Sequence, residues 1–121
     1  MRVAILPGAM PELLRHVQSV SERHEIEAAI LVRAAGIVYV ALLPARVDLP
    51  AAARLPAACR DLMQESVAAG ARPMIEWCPA SLKREVSVWP PPGSDQSLAA
   101  RLKKLFDPQG ILAPGRFLGG L

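Results

Sequence analysis

Side chains suited to metal or thiol chemistry are few in this 121-residue chain, and they are far apart. Cys59 and Cys78 form no CxxC pair, so their spacing favours neither a disulfide framework nor a zinc site. His16 and His24 lie on one predicted helix about two turns apart, which is too far for both to bind the same metal ion. The sequence therefore predicts no metal centre.

Acid–base and nucleophilic candidates are equally sparse. Ser19 and Ser21 lie on the same predicted helix as the histidines, but no GxSxG nucleophile elbow occurs. Glu76 follows Ile75 in an apolar predicted strand, where burial would favour its protonated form and make it an acid/base candidate. The alternative is an edge-strand residue that faces water. We assign no catalytic residue from the sequence.

The sequence also contains no phosphate-binding loop. Its eight glycines are scattered, and neither GxGxxG nor GxxxxGK[ST] occurs. Glycine-rich segments are what allow backbone amides to approach a pyrophosphate closely. We therefore expect this chain alone neither to hold a dinucleotide cofactor nor to catalyse a reaction.

Charge and hydropathy exclude two further classes. The formal net charge is +3, and the only adjacent basic pairs are Lys83-Arg84 and Lys103-Lys104, so no basic stripe predicts nucleic-acid binding. No run approaches the ~18 uncharged apolar residues that a membrane span needs. Because Pro7 and Gly8 interrupt the start, no cleavable signal is predicted, and we expect a cytoplasmic protein.

The first half of the chain predicts a strand, a helix and a hairpin. Residues 2–6 form a short apolar run that Pro7-Gly8 ends. Pro11 suits the first turn of an amphipathic helix that continues to about His24. Residues 26–33 and 37–43 then indicate two antiparallel strands, joined by Ala34-Ala35-Gly36, in which glycine adopts a left-handed conformation. Pro44 closes the second strand.

A second helix and a fourth strand follow. Leu55, Cys59, Leu62, Met63 and Val67 recur at helical spacing, and Gly70 suits the helix C-terminus. Because proline breaks a helix interior, we place the start near Pro56, after a loop containing Asp48 and Pro50. Residues 71–77 form the fourth strand, stopped by Cys78-Pro79.

This order predicts an α+β, ferredoxin-like βαββαβ sandwich over residues 1–79, a four-stranded antiparallel sheet with two helices on one face. Right-handed crossovers place strands one and three in the centre. We expect residues 80–121 to add a C-terminal helix and an ordered tail that pack on this core within one domain.

The third strand, residues 37–43, contains no charged residue on either face. A sheet with helices on one side and water on the other should alternate. We therefore predict that the side away from the helices is covered by another domain, another copy of the chain or the tail, and that Val38 or Val40 points there. The alternative is a central strand that tolerates apolar residues on its wet side.

The tail begins with Val88-Trp89 and the rigid run 90–93 (PPPG). Ser94 or Asp95 can cap a third helix, whose apolar face comprises Leu98, Leu102, Leu105 and Phe106. Residues 107–110 (DPQG) fit a type I turn, and Pro114-Gly115 fits the centre of a type II turn. These two turns predict a fixed structure rather than a loose end.

As a pattern, residues 102–117 (LKKLFDPQGILAPGRF) closely resemble the closing signature of FAD-linked oxidases, a helix ending in Phe, then DP, a glycine, and NPG followed by Arg or Lys. With residues 88–93 and Gly119-Gly120-Leu121, the tail is most similar to the FAD-binding subunit of bacterial glycolate oxidase. The match covers residues 88–121. It departs from the family at Ala113, where asparagine is usual, which removes a side-chain amide from that position.

The resemblance implies the C-terminal cap portion of an FAD-dependent oxidoreductase that oxidises a 2-hydroxy acid, with the flavin held mainly by a larger N-terminal domain. It implies partner flavoprotein and iron–sulfur subunits, and cofactor contacts from Pro114, Gly115 and Arg116. An arginine such as Arg33 or Arg72 would suit a substrate carboxylate, but neither matches a family motif. The alternative is a non-catalytic ferredoxin-like module that self-associates through its open sheet face.

Overall fold

A computed structural model describes residues 1–44 and 49–116, which divide into two compact units, 1–88 and 89–121. The sequence predictions for Asp48 and for Gly119-Gly120-Leu121 fall outside the described residues. The first unit contains the sheet and two of the helices. The second contains the C-terminal helix and the turns that follow it.

The chain starts with β1 (Arg2–Ala4), a 3-10 turn (Pro7–Ala9) and α1 (Met10–His24). Proline in the first turn of α1 costs no hydrogen bond, because that N–H has no partner inside a helix. Buried Leu13, Val17 and Val20 lie on one side of α1. The predicted helix is confirmed, and β1 is shorter than predicted.

Strands β2 (Glu27–Arg33) and β3 (Ile37–Leu43) form the predicted hairpin. Its connection uses left-handed backbone at Ala35 (φ 70°) and Gly36 (φ 75°). The Gly36 carbonyl accepts a hydrogen bond from Ile5 N at 2.8 Å, so the turn is also tied to the end of β1.

Helix α2 (Leu49–Ala68) starts earlier than predicted, with Pro50 in its first turn and Pro56 inside it. The predicted start near Pro56 is wrong. Interior proline costs about 3 kcal/mol, because one backbone hydrogen bond is lost. Burial of Ala58 and Leu62 on the same helix offsets this cost, as tertiary packing commonly does.

Strand β4 (Arg72–Met74) is also shorter than the predicted strand 71–77. Beyond it, Ile75 N donates to Val88 O at 2.9 Å, so the chain leaves the sheet ladder and pairs with a later segment. A 3-10 turn (Leu82–Arg84) precedes that segment, and Leu82 is buried.

The strand order is β2-β3-β1-β4, and every neighbouring pair is antiparallel. This is the predicted ferredoxin-like arrangement, with β1 and β3 in the centre. Both helices cover one face, because Val38 and Val40 of β3 share one buried cluster with Leu13 of α1 and Leu62 of α2. The α+β fold is therefore as the sequence indicates.

One ion pair and one histidine–carboxylate hydrogen bond connect α1 and α2 at the surface of the helix layer. Arg23 Nη2 lies 2.6 Å from Glu65 Oε1, and His24 Nε2 lies 2.8 Å from Asp61 Oδ2.

Ser66 of α2 is fully buried, and its hydroxyl has no hydrogen-bond partner. A buried hydroxyl without a partner lowers stability.

Helix α3 (Gln96–Phe106) forms the second unit with the turns after it, and Asp95 occupies its N-cap position. The apolar side chains predicted for one face are exposed, with Leu105 71% and Phe106 76% accessible. Of the helices in the described ranges, none has the length and apolar composition that crossing a bilayer requires.

Candidate functional site

The sheet side away from the helices carries an apolar surface, which we call the outer face, formed by Leu31, Tyr39, Ala41 and Leu43. Val38 and Val40 pack against the helices and are only 0% and 2% exposed. Because side chains alternate along a strand, their neighbours in β3 point to the opposite side of the sheet. The prediction that Val38 or Val40 points outward is therefore wrong. Both belong to the core.

The side chains of the outer face range from partly buried to exposed. Leu31 is 61% exposed and Leu43 47%, while Tyr39 is partly buried between its partners Leu31 and Arg2 on the neighbouring strands. An apolar strand surface of this kind is typical of a sheet that contacts another molecule.

A cleft of about 660 Å³ lies at one end of this sheet. Its walls come from β2 and β3, from α2, and from the segment after β4, and they are mostly apolar. The walls include Tyr39, Leu55, Cys59, Glu76, Trp77 and Cys78. The volume is within the range of small-molecule sites, which are mainly apolar with a few polar groups.

Glu76 is the charged side chain of the cleft. Its carboxylate lies 3.2 Å from Arg2 Nε, and the side chain is 42% exposed. The buried alternative for Glu76 is therefore wrong, and the alternative that it faces water is confirmed. In this position Glu76 can orient a cationic or hydrogen-bond-donating group beside the apolar wall.

The two cysteines line the same cleft although they are distant in sequence. Both are free thiols, and Cys59 is buried whereas Cys78 is partly exposed. Burial raises the pKa of the Cys59 thiol to about 11. Since the thiolate is the nucleophile, Cys59 serves as an apolar wall at neutral pH and not as a reactive group.

Other sequence candidates lie apart from the cleft or on its rim. Trp77 lies on the rim of the cleft and is 82% exposed. Arg33 and Arg72 are exposed on β2 and β4, the two edge strands. Among residues 1–44 and 49–116, no three His, Cys, Asp or Glu side chains are grouped as metal ligands would be.

In the second unit, the Asp107 carboxylate holds the tail in a fixed turn. It accepts hydrogen bonds from Ile111 N and Leu112 N at 2.9 Å each, and from Lys103 Nζ at 2.6 Å. Lys103 Nζ also donates to the Leu112 carbonyl. The hydrogen bond from Lys103 holds the pKa of Asp107 below its usual value. We call this arrangement the Asp107 clasp.

Both predicted tail turns are present. Gly110 N donates to Asp107 O at 3.0 Å, and Arg116 N donates to Ala113 O at 3.1 Å, with positive φ at both Gly110 and Gly115. Ala113 also has a positive φ, 45°, which costs a residue with a Cβ about 1 kcal/mol. Asparagine tolerates this conformation better than alanine does.

The proposed cofactor contacts Pro114, Gly115 and Arg116 form the second of these turns, and all three are exposed. They lie just after Leu112, which the Asp107 clasp holds in place, so the clasp fixes where the turn begins.

Comparisons with known proteins add no relative. No family model matches the chain. No curated protein and no solved structure matches it either.

Sequence reasoning missed the cleft, because its walls come from four separate segments of the chain. No local signal connects Cys59 with Cys78 or Tyr39 with Glu76, and only the folded sheet brings them to one place. The sequence indicated an apolar outer face, because β3 carries no charged residue, but it did not show which side chains of β3 form that face.

Proposed function

We propose that this chain is the C-terminal cap portion of an FAD-dependent oxidoreductase acting on a 2-hydroxy acid, similar to the FAD-binding subunit of bacterial glycolate oxidase. The observation that carries the proposal is the Asp107 clasp. Three residues of the signature stabilise the tail turns. Asp107 accepts three hydrogen bonds, and Gly110 and Gly115 adopt the positive φ that the turns require.

The first unit gives independent support. Its ferredoxin-like fold agrees with the α+β cap that the resemblance implies. Its outer face and cleft offer an apolar surface that a flavin domain would cover, and burial of such a surface is the main source of stability at domain contacts. In this proposal the flavin performs the hydride transfer, and the cap positions and shields it.

Two measurements test the proposal. The DNA upstream of the Met1 codon should continue in frame as a flavin domain, or a neighbouring gene should encode one; a stop codon with no such gene nearby would contradict it. In the complete assembly, Arg116→Ala should weaken flavin retention, while Arg101→Ala on exposed α3 should not. Equal retention in the two variants would remove Arg116 as a cofactor contact.

The second candidate is a non-catalytic module that self-associates through the outer face, favoured by the exposure of Leu31 and Leu43. Ala41→Glu places a charge in the middle of this face without changing the core. A dimer that dissociates in this variant, measured by light scattering, would support the second candidate.

A further inference from the structure

Strand β2 (Glu27–Arg33) is a long edge strand of the sheet, and within the first unit no strand pairs with its outer side. Its seven residues include neither proline nor glycine, and Ile30, Leu31 and Val32 are 41%, 61% and 46% exposed. Long apolar edges of this kind pair readily with another strand, so natural proteins usually protect them.

The opposite edge of the same sheet is protected. Strand β4 (Arg72–Met74) has three residues with Pro73 at its centre. Pro73 lies opposite Val3, which is in a hydrogen-bonded pair with Val38 on the other side, so the proline nitrogen faces the free edge. Proline there removes the N–H that a new strand would need. The β4 edge is therefore protected from pairing with another strand, whereas the β2 edge is not.

The hydrogen-bond pattern shows which groups of β2 are available. Met1 N donates to Val40 O at 2.7 Å and Val40 N to Met1 O at 2.8 Å, so Val40 directs its N–H and C=O toward β1. Ile30 is paired with Val40 and must then direct its own N–H and C=O toward the free edge. The same alternation applies to Ala28 and Val32.

We propose that a second copy of this chain pairs antiparallel with β2, on a two-fold axis at Ile30, to form a continuous eight-stranded sheet. The positions of two charged residues in β2 favour a second copy of the chain as the pairing strand. In this register Glu27 of one copy lies opposite Arg33 of the other, twice per dimer, because the two residues are equally distant from Ile30. Opposite charges placed directly across a strand pair stabilise it.

The side chains and backbone agree with this register. Ile30 pairs with Ile30 of the second copy, and Ala28 with Val32, so the pairs on the helix side of the sheet are apolar. All three of these positions have outward N–H and C=O groups, which supply ladder hydrogen bonds across the axis. A two-fold interface requires this kind of self-complementarity.

Charge reversal tests the register. Glu27→Arg places like charges opposite each other, and we expect the dimer dissociation constant to rise on the order of tenfold or more. The double variant Glu27→Arg/Arg33→Glu restores both pairs and should return it to near the starting value. Glu12→Arg on the exposed side of α1 makes the same change of net charge away from β2 and, as the matched control, should leave the dimer dissociation constant unchanged. Sedimentation equilibrium gives the masses.

Ile30→Pro tests the edge itself. It removes an N–H that points outward, so the monomer loses no hydrogen bond, and circular dichroism should stay unchanged while the dimer is lost. Ala41→Glu, on the outer face, should leave the dimer intact. A wild-type mass equal to the 13.0 kDa monomer at high concentration would overturn the proposal. A dimer that survives Ile30→Pro or fails to recover in the double charge variant would do the same.

Discussion

Gly36 provides the sharpest test of how this fold is held together. Its φ is +75°, and a Cβ built there would lie 2.1 Å from the Ile5 carbonyl oxygen, a backbone atom that cannot rotate away. Gly70 has the same φ, +75°, but a Cβ there would meet nothing within 4 Å. Alanine at the two positions therefore has the same left-handed strain and differs in the steric contact.

We expect Gly70→Ala to lower the free energy of unfolding by about 1 kcal/mol, the cost of left-handed backbone for alanine. Gly36→Ala adds overpacking, which costs about 1–3 kcal/mol. Relief of the clash also separates Ile5 N from Gly36 O, now 2.8 Å apart, which costs about 1 kcal/mol more. The sum for Gly36→Ala is about 4 kcal/mol. Urea denaturation followed by circular dichroism measures both variants, and equal losses would refute the reasoning.

Three further predictions concern single side chains. Ser66→Ala should raise the free energy of unfolding by about 1 kcal/mol, because it removes a buried hydroxyl that has no partner, and more than Ser19→Ala on the exposed side of α1. At pH 8 alkylation of Cys59 should be about a hundredfold slower than that of an ordinary thiol, since burial raises its pKa from 9.0 to about 11, whereas Cys78 should react first in a mass-spectrometric time course. Because the pKa of Asp107 is lowered in the folded state, its contribution is present above pH 3.8 and is lost as pH falls below that. The protection of the two amides it binds, measured as their hydrogen-exchange rates relative to the intrinsic rates at each pH, should fall on acidification, and weaker protection at neutral than at acidic pH would contradict the sign.

The order of elements was predictable because its signals are local. Alternation along residues 26–33, the apolar run 37–43 and the glycine at position 36 between them indicate a hairpin without knowledge of the rest of the chain. The helix start was not predictable, since Pro56 disfavours a helix locally, and burial of residues such as Leu62 decides the outcome. The end of β4 depends on Val88, a partner that no local pattern reveals.

The assignment of the β3 side chains to the two sides of the sheet shows the same limit of sequence-based prediction for the candidate site. A strand that is apolar on both faces has no alternation in its sequence, so only its neighbours show that Val38 faces the helices and Tyr39 does not. The two tail turns were predicted, but the Asp107 clasp was not, because a lysine four residues before an aspartate is typical of an ordinary surface pair on a helix.

The outer face and the β2 edge share Leu31 but use different groups, side chains on the face and backbone N–H and C=O groups on the edge, so the two proposals are compatible. In the register centred on Ile30, the β2 residues whose side chains lie on the outer face, such as Glu27 and Arg33, pair with outer-face residues of the second copy. Both outer faces therefore lie on the same side of the joined sheet. Each copy can then carry its own flavin domain. We expect Ile30→Pro to halve the mass of the complete assembly while leaving one flavin per chain, measured by light scattering and flavin absorbance. One flavin per two chains would show that the edge pairing and the covered face exclude each other.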